Sequence, residues 1–146
     1  MIYLSHRGNL RGRNKKKENH PDYINMALNK KFSVEVDVWF KKSNFYLGHD
    51  RPQYKVSDKF LLKKNIWCHA KNISALSELK KIKSHYFWHQ EDQYTVTSKG
   101  FIWAYTGEKL TNDTICVLPE ISSKSKIKKI QKCAGICSDF IELYKI

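Results

Sequence analysis

The sequence predicts an α/β fold in a single domain. Three observations carry this: short apolar strands alternate with helical or loop segments, the length suits one core, and the composition is that of a folded chain. At 146 residues the chain is too short for two cores of ordinary size. With 41% hydrophobic and 28% charged residues but only 3 Pro and 6 Gly, disordered, collagenous and mucin-like classes are excluded. A chain of this size buries roughly 70% of its extended surface, enough for a core.

The predicted strands are runs rich in β-branched and aromatic residues: Ile2 to Ser5, Phe32 to Phe40, Ile66 to Ala70, Tyr86 to His89, Phe101 to Tyr105, Ile115 to Leu118 and Gly135 to Ser138. Helices are predicted in three of the intervals. Pro21 and Asp22 start the first, and Ile24, Ala27 and Leu28 give it an apolar face. Ile73, Leu76, Leu79 and Ile82 mark a lysine-rich second, and Ile127, Ile130 and Ala134 mark a third. Strand followed by helix, repeated, predicts a parallel sheet.

The 27 Lys+Arg against 14 Asp+Glu leave a net charge of +13, which points to anionic partners. Nucleic acid, anionic lipid surfaces and phosphorylated small molecules all satisfy that balance. Much of the excess lies in lysine runs at Lys15 to Lys17, Lys63 and Lys64, Lys80 to Lys83, and Lys124 to Lys132, where a solvated face is the plainest reading. No run approaches the ~20 apolar residues of a transmembrane span, and Ile2 to His6 carries no signal-peptide pattern. A cytoplasmic location is therefore expected. Cys68, Cys116, Cys133 and Cys137 occupy apolar positions without paired spacing and read as reduced, mostly buried thiols.

The chemistry is predicted at strand ends. In Ser33 to Trp39 the valines share one face, and Glu35 and Asp37 share the other, because strand side chains alternate. Two neighbouring carboxylates on a buried strand need a cation or a proton to offset their charge. A metal or an acid/base role answers that need; a half-exposed edge strand facing water is the bland alternative. His69 with Lys71, and His89 with Glu91, repeat the same spacing, while His6-Arg7-Gly8 and His49-Asp50 follow other apolar runs. Ends of parallel strands meet at one rim, so these groups can converge. Histidines there can divide base and acid work, with Arg7 and Lys71 pairing with nonbridging phosphate oxygens. His85 and His89, beside aromatics, read as structural, and the four tryptophans as core or pocket wall.

His6-Arg7-Gly8, Glu18-Asn19, Glu35-x-Asp37 and Gly48-His49-Asp50, in that order, resemble the glycerophosphodiester phosphodiesterase family of the phosphatidylinositol phospholipase C-like superfamily. Gly135-Ile136-Cys137-Ser138-Asp139 is similar to that family's closing strand. The resemblance implies His6 and His49 as the acid/base pair, Glu35 and Asp37 as ligands of a divalent cation, and Arg7 as a phosphate contact. It also implies a (β/α)₈ barrel. Two departures follow. The family's third carboxylate, in a Glu-x-Lys pair, is replaced by His69-Ala70-Lys71. Mg²⁺ or Ca²⁺ is the expected ion, His69 moves the preference toward Mn²⁺, and Glu120 or Glu91 is a candidate for the missing oxygen donor. Complete barrels run to about 250 residues, so the expectation is a shortened TIM-type barrel of seven or eight strands with reduced connecting helices. Wall left exposed by the shortening favours a homo-oligomer.

The expected activity is therefore metal-dependent hydrolysis of a glycerophosphodiester or a related lipid or sugar phosphodiester. The competing class is a non-catalytic basic module, or a degenerate barrel, that binds anionic lipid, nucleic acid or a protein partner. Nucleic acid is the least favoured partner, because Glu35 and Asp37 repel phosphate unless they hold a cation.

Overall fold

The computed structural model describes residues 1–122, 130 and 132–145. Its elements run β1 (Ile2–His6), α1 (Pro21–Asn29), β2 (Ser33–Lys41), β3 (Asn44–Leu47), β4 (Tyr54–Val56), α2 (Asp58–Leu61), β5 (Ile66–Ala70), α3 (Ile73–Lys81), β6 (Tyr86–Phe87), β7 (Tyr94–Val96), β8 (Ile102–Ala104), β9 (Thr114–Val117) and β10 (Gly135–Ser138). Short 3-10 turns at Pro119–Ile121 and Ile141–Leu143 flank β10.

These strands form one mixed sheet of ten, ordered β4-β3-β2-β1-β10-β9-β8-β7, with β5 on β2 and β6 on β5. The parallel part runs β6-β5-β2-β1-β10-β9-β8, and β3, β4 and β7 join it antiparallel. The sheet curls into an open half-barrel. This corrects the expected TIM-type barrel of seven or eight strands, because helices do not surround the sheet. Among the described residues only α1 and α3 reach nine residues, and α2 is a single turn of four. Where a barrel would place helices, this chain instead spends residues on the β2–β3–β4 meander and on β7. The helix expected from Ile127 lies outside the described residues.

Local chemistry explains the elements that do form. Pro21 opens α1 behind His20, whose ring nitrogen accepts from the Asp22 amide. Asn72 caps α3 by accepting from Ala75 N, and it also exchanges hydrogen bonds with the Phe40 backbone, which ties α3 to β2. Lys42 and Ser43 both adopt positive φ, giving the tight turn that folds β3 back on β2. Gly135 is required by close approach: a Cβ there would sit 2.5 Å from the Ile2 carbonyl oxygen.

The pleat of the sheet sorts the core into two layers. Val34, Val36 and Val38 pack outward with Ile66, Cys68, Ile24, Ala27 and Leu79, under α1 and α3. The concave face holds Leu4, Trp67, Phe87, Trp103, Ile115 and Cys137. Phe87 of β6 and Trp103 of β8 bring their ring centroids to 4.5 Å, filling the concavity. Among the described residues no helix is long and apolar enough to cross a membrane.

Candidate metal and acid/base site

The concave face changes character toward the C-terminal ends of β1, β2 and β5. Register places His6 beside Glu35 and Asp37 beside His69, so one rim collects residues from three strands. Alternation turns these side chains inward, over the apolar layer of Trp67 and Phe87. Glu35 and Asp37 are 1% and 0% exposed. One ligand atom from each of Glu35, Asp37 and His69 lies within 4.8 Å of the others.

The carboxylate oxygens are unequally served. Asp37 Oδ2 accepts from Asn19 Nδ2 at 2.9 Å and lies 2.8 Å from Arg7 Nε, an ion pair not aligned as a hydrogen bond. The Asp37 amide donates to Asn19 Oδ1, so Asn19, itself at φ 63°, clasps this residue from both sides. Asp37 Oδ1 and Glu35 Oε2 are buried and accept no aligned hydrogen bond. Such orphaned acceptors are costly in a folded interior.

His69 completes the cluster. Its Nε2 lies 2.7 Å from the His89 carbonyl oxygen, an acceptor, so Nε2 carries a proton. Its ring stacks on Phe87 with centroids 5.1 Å apart. Nδ1 then faces Asp37 Oδ1 at 3.2 Å and Glu35 Oε1 at 3.5 Å. A bare lone pair facing two carboxylates is repulsive, so Nδ1 requires a proton or a cation. With no metal present, burial pushes the imidazole pKa down, but the hydrogen bonds and charges of Asp37 and Glu35 outweigh it and raise the pKa to about 9. Burial likewise pushes the Asp37 carboxyl up, yet His69, Arg7 and Lys71 hold it well below the usual carboxylate range.

These residues fit a divalent cation: two carboxylates and one imidazole converge, two of the oxygens accept no aligned hydrogen bond and meet only ionic neighbours beyond 3 Å, and the His89 carbonyl fixes the imidazole from behind. The predicted oxygen donor Glu120 does not join them. Its Oε1 accepts from Ser138 Oγ at 3.0 Å and from the Asp139 amide at 2.9 Å, so it buttresses the end of β10. Glu91 is exposed and lines a separate hollow with Gln90 and Asp92.

His6 stands over the cluster. Its Nδ1 is 2.7 Å from Asp139 Oδ1, and its Nε2 is 3.9 Å from Glu35 Oε2. Asn9 Nδ2 donates to the same Asp139 oxygen at 2.8 Å and to Glu18 at 3.1 Å. Burial raises the Asp139 pKa, but the hydrogen bond and charge of His6, aided by Asn9, bring it below the ordinary value.

Arg7, expected on phosphate, is only 8% exposed and engages Asp37 and Glu18. Burial lowers its pKa, yet Asp37, Glu35 and Glu18 raise it further, so it is a permanent internal cation. Lys71 sits 3.8 Å from Asp37 Oδ1 and is more exposed. His49 lies on the rim rather than in the cluster. Its Nδ1 is 2.6 Å from Asp50 Oδ1, and it lines a cavity of about 520 Å³ that Asn19 and Glu18 also line. The hydrogen bond from His49 holds the Asp50 carboxyl below its usual range, and Arg7 and Lys71 act in the same direction, which sets His49-Asp50 within the field of the cluster. A wider groove of about 810 Å³ runs along Trp39, Pro52 and Ile73, away from the carboxylates.

Sequence reasoning missed Asp139, Asn19, Glu18 and Asn9 as site residues. Glu18-Asn19 and Asp139 sat inside the motifs that carried the resemblance, so position was the available signal; Asn9 offered none. His85 is a core residue as expected, with Nε2 2.9 Å from Thr97 Oγ1 and its ring 3.9 Å from that of Trp67. Comparison with known proteins brings no match: no protein-family model, no curated protein and no solved structure aligns with the chain.

Proposed function

We propose that the chain hydrolyses small phosphodiesters around a divalent cation held by Glu35, Asp37 and His69, with His6 and His49 moving the protons. The observation that carries this reading is one cluster in which an Asp139-oriented His6 overlooks two buried carboxylate oxygens that accept no aligned hydrogen bond. The bound cation would supply positive charge to a phosphoryl oxygen and lower the pKa of a nearby hydroxyl. A nitrogen donor in place of a third carboxylate favours Mn²⁺ over Ca²⁺, with Mg²⁺ between them.

The chain's own groups supply the rest. His6 commits Nδ1–H to Asp139, so its Nε2 lone pair accepts the proton of the attacking water or substrate hydroxyl as the new P–O bond forms. Protonated His49, steadied by Asp50, gives its proton to the departing alkoxide as the old P–O bond breaks. Arg7 braces Asp37 and Glu18, leaving Lys71 as the cation better placed to meet a nonbridging oxygen. The resemblance to glycerophosphodiester phosphodiesterases points the same way, and a cytoplasmic location suits four free thiols.

The test is hydrolysis of bis(p-nitrophenyl) phosphate and glycerophosphocholine with Mg²⁺, Ca²⁺, Mn²⁺ or EDTA. Turnover that requires metal and is lost in Glu35→Ala is the expected result. A folded protein inert with every ion overturns the proposal. One observation favours a second reading, a non-catalytic anion-binding scaffold: protonated His69, with Arg7 and Lys71, already offers the carboxylates cationic partners. Inertness together with retained binding of anionic ligands supports that reading.

A further inference from the structure

The cavity beside the cluster carries information about the substrate that the catalytic groups do not. It is walled by two tethered loops. In one, the Gly12 amide donates to the Asp139 carbonyl at 2.8 Å and the Asn14 amide to Asn9 Oδ1 at 3.0 Å. In the other, Gly48 N donates to the Asp37 carbonyl at 3.1 Å and Gln53 N to that of Leu47 at 2.9 Å. Gly48 is held at φ 149°, where a Cβ would fall 2.1 Å from the Arg51 carbonyl oxygen, so this turn is built tightly.

The first loop brings Arg13 and Lys15 to the cavity, and the second brings Arg51 and His49. Asn19 forms the floor and at the same time holds Asp37, so the cavity adjoins the carboxylate cluster directly. Its acidic members are engaged: Glu18 by Arg7, Arg13 and Asn9, and Asp50 by His49. No Phe, Tyr, Trp or aliphatic side chain is among the residues lining it, and its one ring is the His49 imidazole, paired with Asp50. A trimethylammonium group would find no Trp, Tyr or Phe face there, and an acyl chain no aliphatic side chain. Cations from both loops instead face a space large enough for a phosphorylated sugar or polyol.

We propose that this cavity is an anion subsite, and that the substrate is a phosphodiester whose one ester arm carries a second phosphate. The proposal rests on the phosphodiesterase reading of the neighbouring cluster. Arg13, Lys15 and Arg51 hold the second phosphate while the diester lies at the cluster. Lysine elsewhere is abundant, so what distinguishes this cavity is its position beside Asp37, not its sign alone.

The experiment compares thymidine 5′-(p-nitrophenyl phosphate) with its 3′-phosphorylated counterpart, which differ only in the second phosphate. The expected result is about tenfold higher kcat/KM for the 3′-phosphorylated compound, carried by KM, with the ratio falling toward one in Lys15→Gln/Arg51→Gln. Lys63→Gln/Lys64→Gln removes the same net charge far from the cavity and leaves the ratio intact. Turnover without preference overturns the subsite while sparing the phosphodiesterase reading, and equal loss of preference in both double variants reduces it to bulk charge and overturns it too. Glycerophosphoinositol and its 4-phosphate repeat the comparison without a nucleobase; preference confined to the thymidine pair means the base is read instead and overturns the proposal. If neither thymidine ester turns over, calorimetry with adenosine 3′,5′-bisphosphate against adenosine 5′-monophosphate decides. About tenfold tighter binding of the bisphosphate, lost in Lys15→Gln/Arg51→Gln, upholds the subsite without the activity, and equal affinity overturns it.

Discussion

Replacing Asp139 by Asn separates the shape of the acid/base pair from its charge. An Asn oxygen in the place of Oδ1 can still accept from His6 Nδ1 and Asn9 Nδ2, which approach to 2.7 and 2.8 Å. What disappears is the negative charge that would stabilise imidazolium once Nε2 has taken a proton. His6 and Asp139 side chains are each 10% exposed, so water screens the pair only partly. At an effective dielectric of about 20, unit charges about 4 Å apart interact by about 4 kcal/mol. Lost only in the transition state, an interaction of about 3–4 kcal/mol corresponds to roughly 10²- to 10³-fold in kcat. The assay is kcat for bis(p-nitrophenyl) phosphate at saturating metal, with KM and Tm measured alongside. Asp139→Asn should keep KM and Tm while kcat falls by that amount, and it should cost little further in a His6→Ala background. A kcat within threefold of wild type, at unchanged KM, would refute His6 as the proton acceptor.

The remaining predictions concern stability. Mn²⁺ at about a hundred times its Kd should stabilise the fold by about 2.7 kcal/mol, a rise in Tm of roughly 5–10 °C, and Asp37→Asn should remove the rise. No shift with any divalent ion counts against a metal at this cluster. Burial, aided by Lys99, lowers the His85 pKa to about 4. The folded value lies below the unfolded one near 6.5, so the stabilisation is present above pH 6.5 and drains away as pH falls toward 4. The difference is worth about 3 kcal/mol at 1.36 kcal/mol per pH unit. Urea denaturation should show that loss in wild type and a flatter acid limb in His85→Gln; identical limbs would mean His85 is not buried as a neutral ring. Gly135→Ala forces a Cβ toward the Ile2 carbonyl oxygen at 2.5 Å and should cost about 1–3 kcal/mol in urea denaturation. An unchanged midpoint would contradict the β1–β10 register.

Parts of this architecture are written locally and could be read without a structure. Val34, Val36 and Val38 against Glu35 and Asp37 announce their two faces by alternation, and the structure buries the valines outward and turns the carboxylates inward. Pro21 with Ile24 and Ala27 marks α1 in the same local way. The meander was invisible because its turn uses Lys42-Ser43 in a left-handed conformation that Asn-Gly normally supplies. Tyr94–Val96 is too short and exposed to alternate convincingly. That absence of signal is why β3, β4 and β7 are not among the predicted strands. Asp139 illustrates the other limit: the residue that orients His6 lies 133 positions away, and only the parallel pairing of β1 with β10 brings the two together. His69 could be placed on the face of the carboxylates and expected at the metal site, but the His89 carbonyl that fixes its ring could not be read from the sequence.

The distribution of partners around the two carboxylates argues for a ligand rather than a structural ion network. Networks that serve stability alone leave few lone pairs idle, and apolar residues of similar volume are often at least as stabilising. Here the close partners, within 3 Å, crowd one oxygen, while His69 and Lys71 stand farther from the other, at 3.2 and 3.8 Å. Asp37 Oδ2 meets both Asn19 and Arg7, whereas Asp37 Oδ1 and Glu35 Oε2 accept no aligned hydrogen bond on the side that His6 and His69 overlook. Arg7 and Asn19 are therefore placed to hold Asp37 in position from behind while its other oxygen stays available. The same asymmetry holds for the imidazole, fixed through Nε2 and presented through Nδ1. Two of the three ligand residues, Asp37 and His69, are anchored from the rear, and with Glu35 they present atoms toward a common point, the arrangement expected of residues that await a cation.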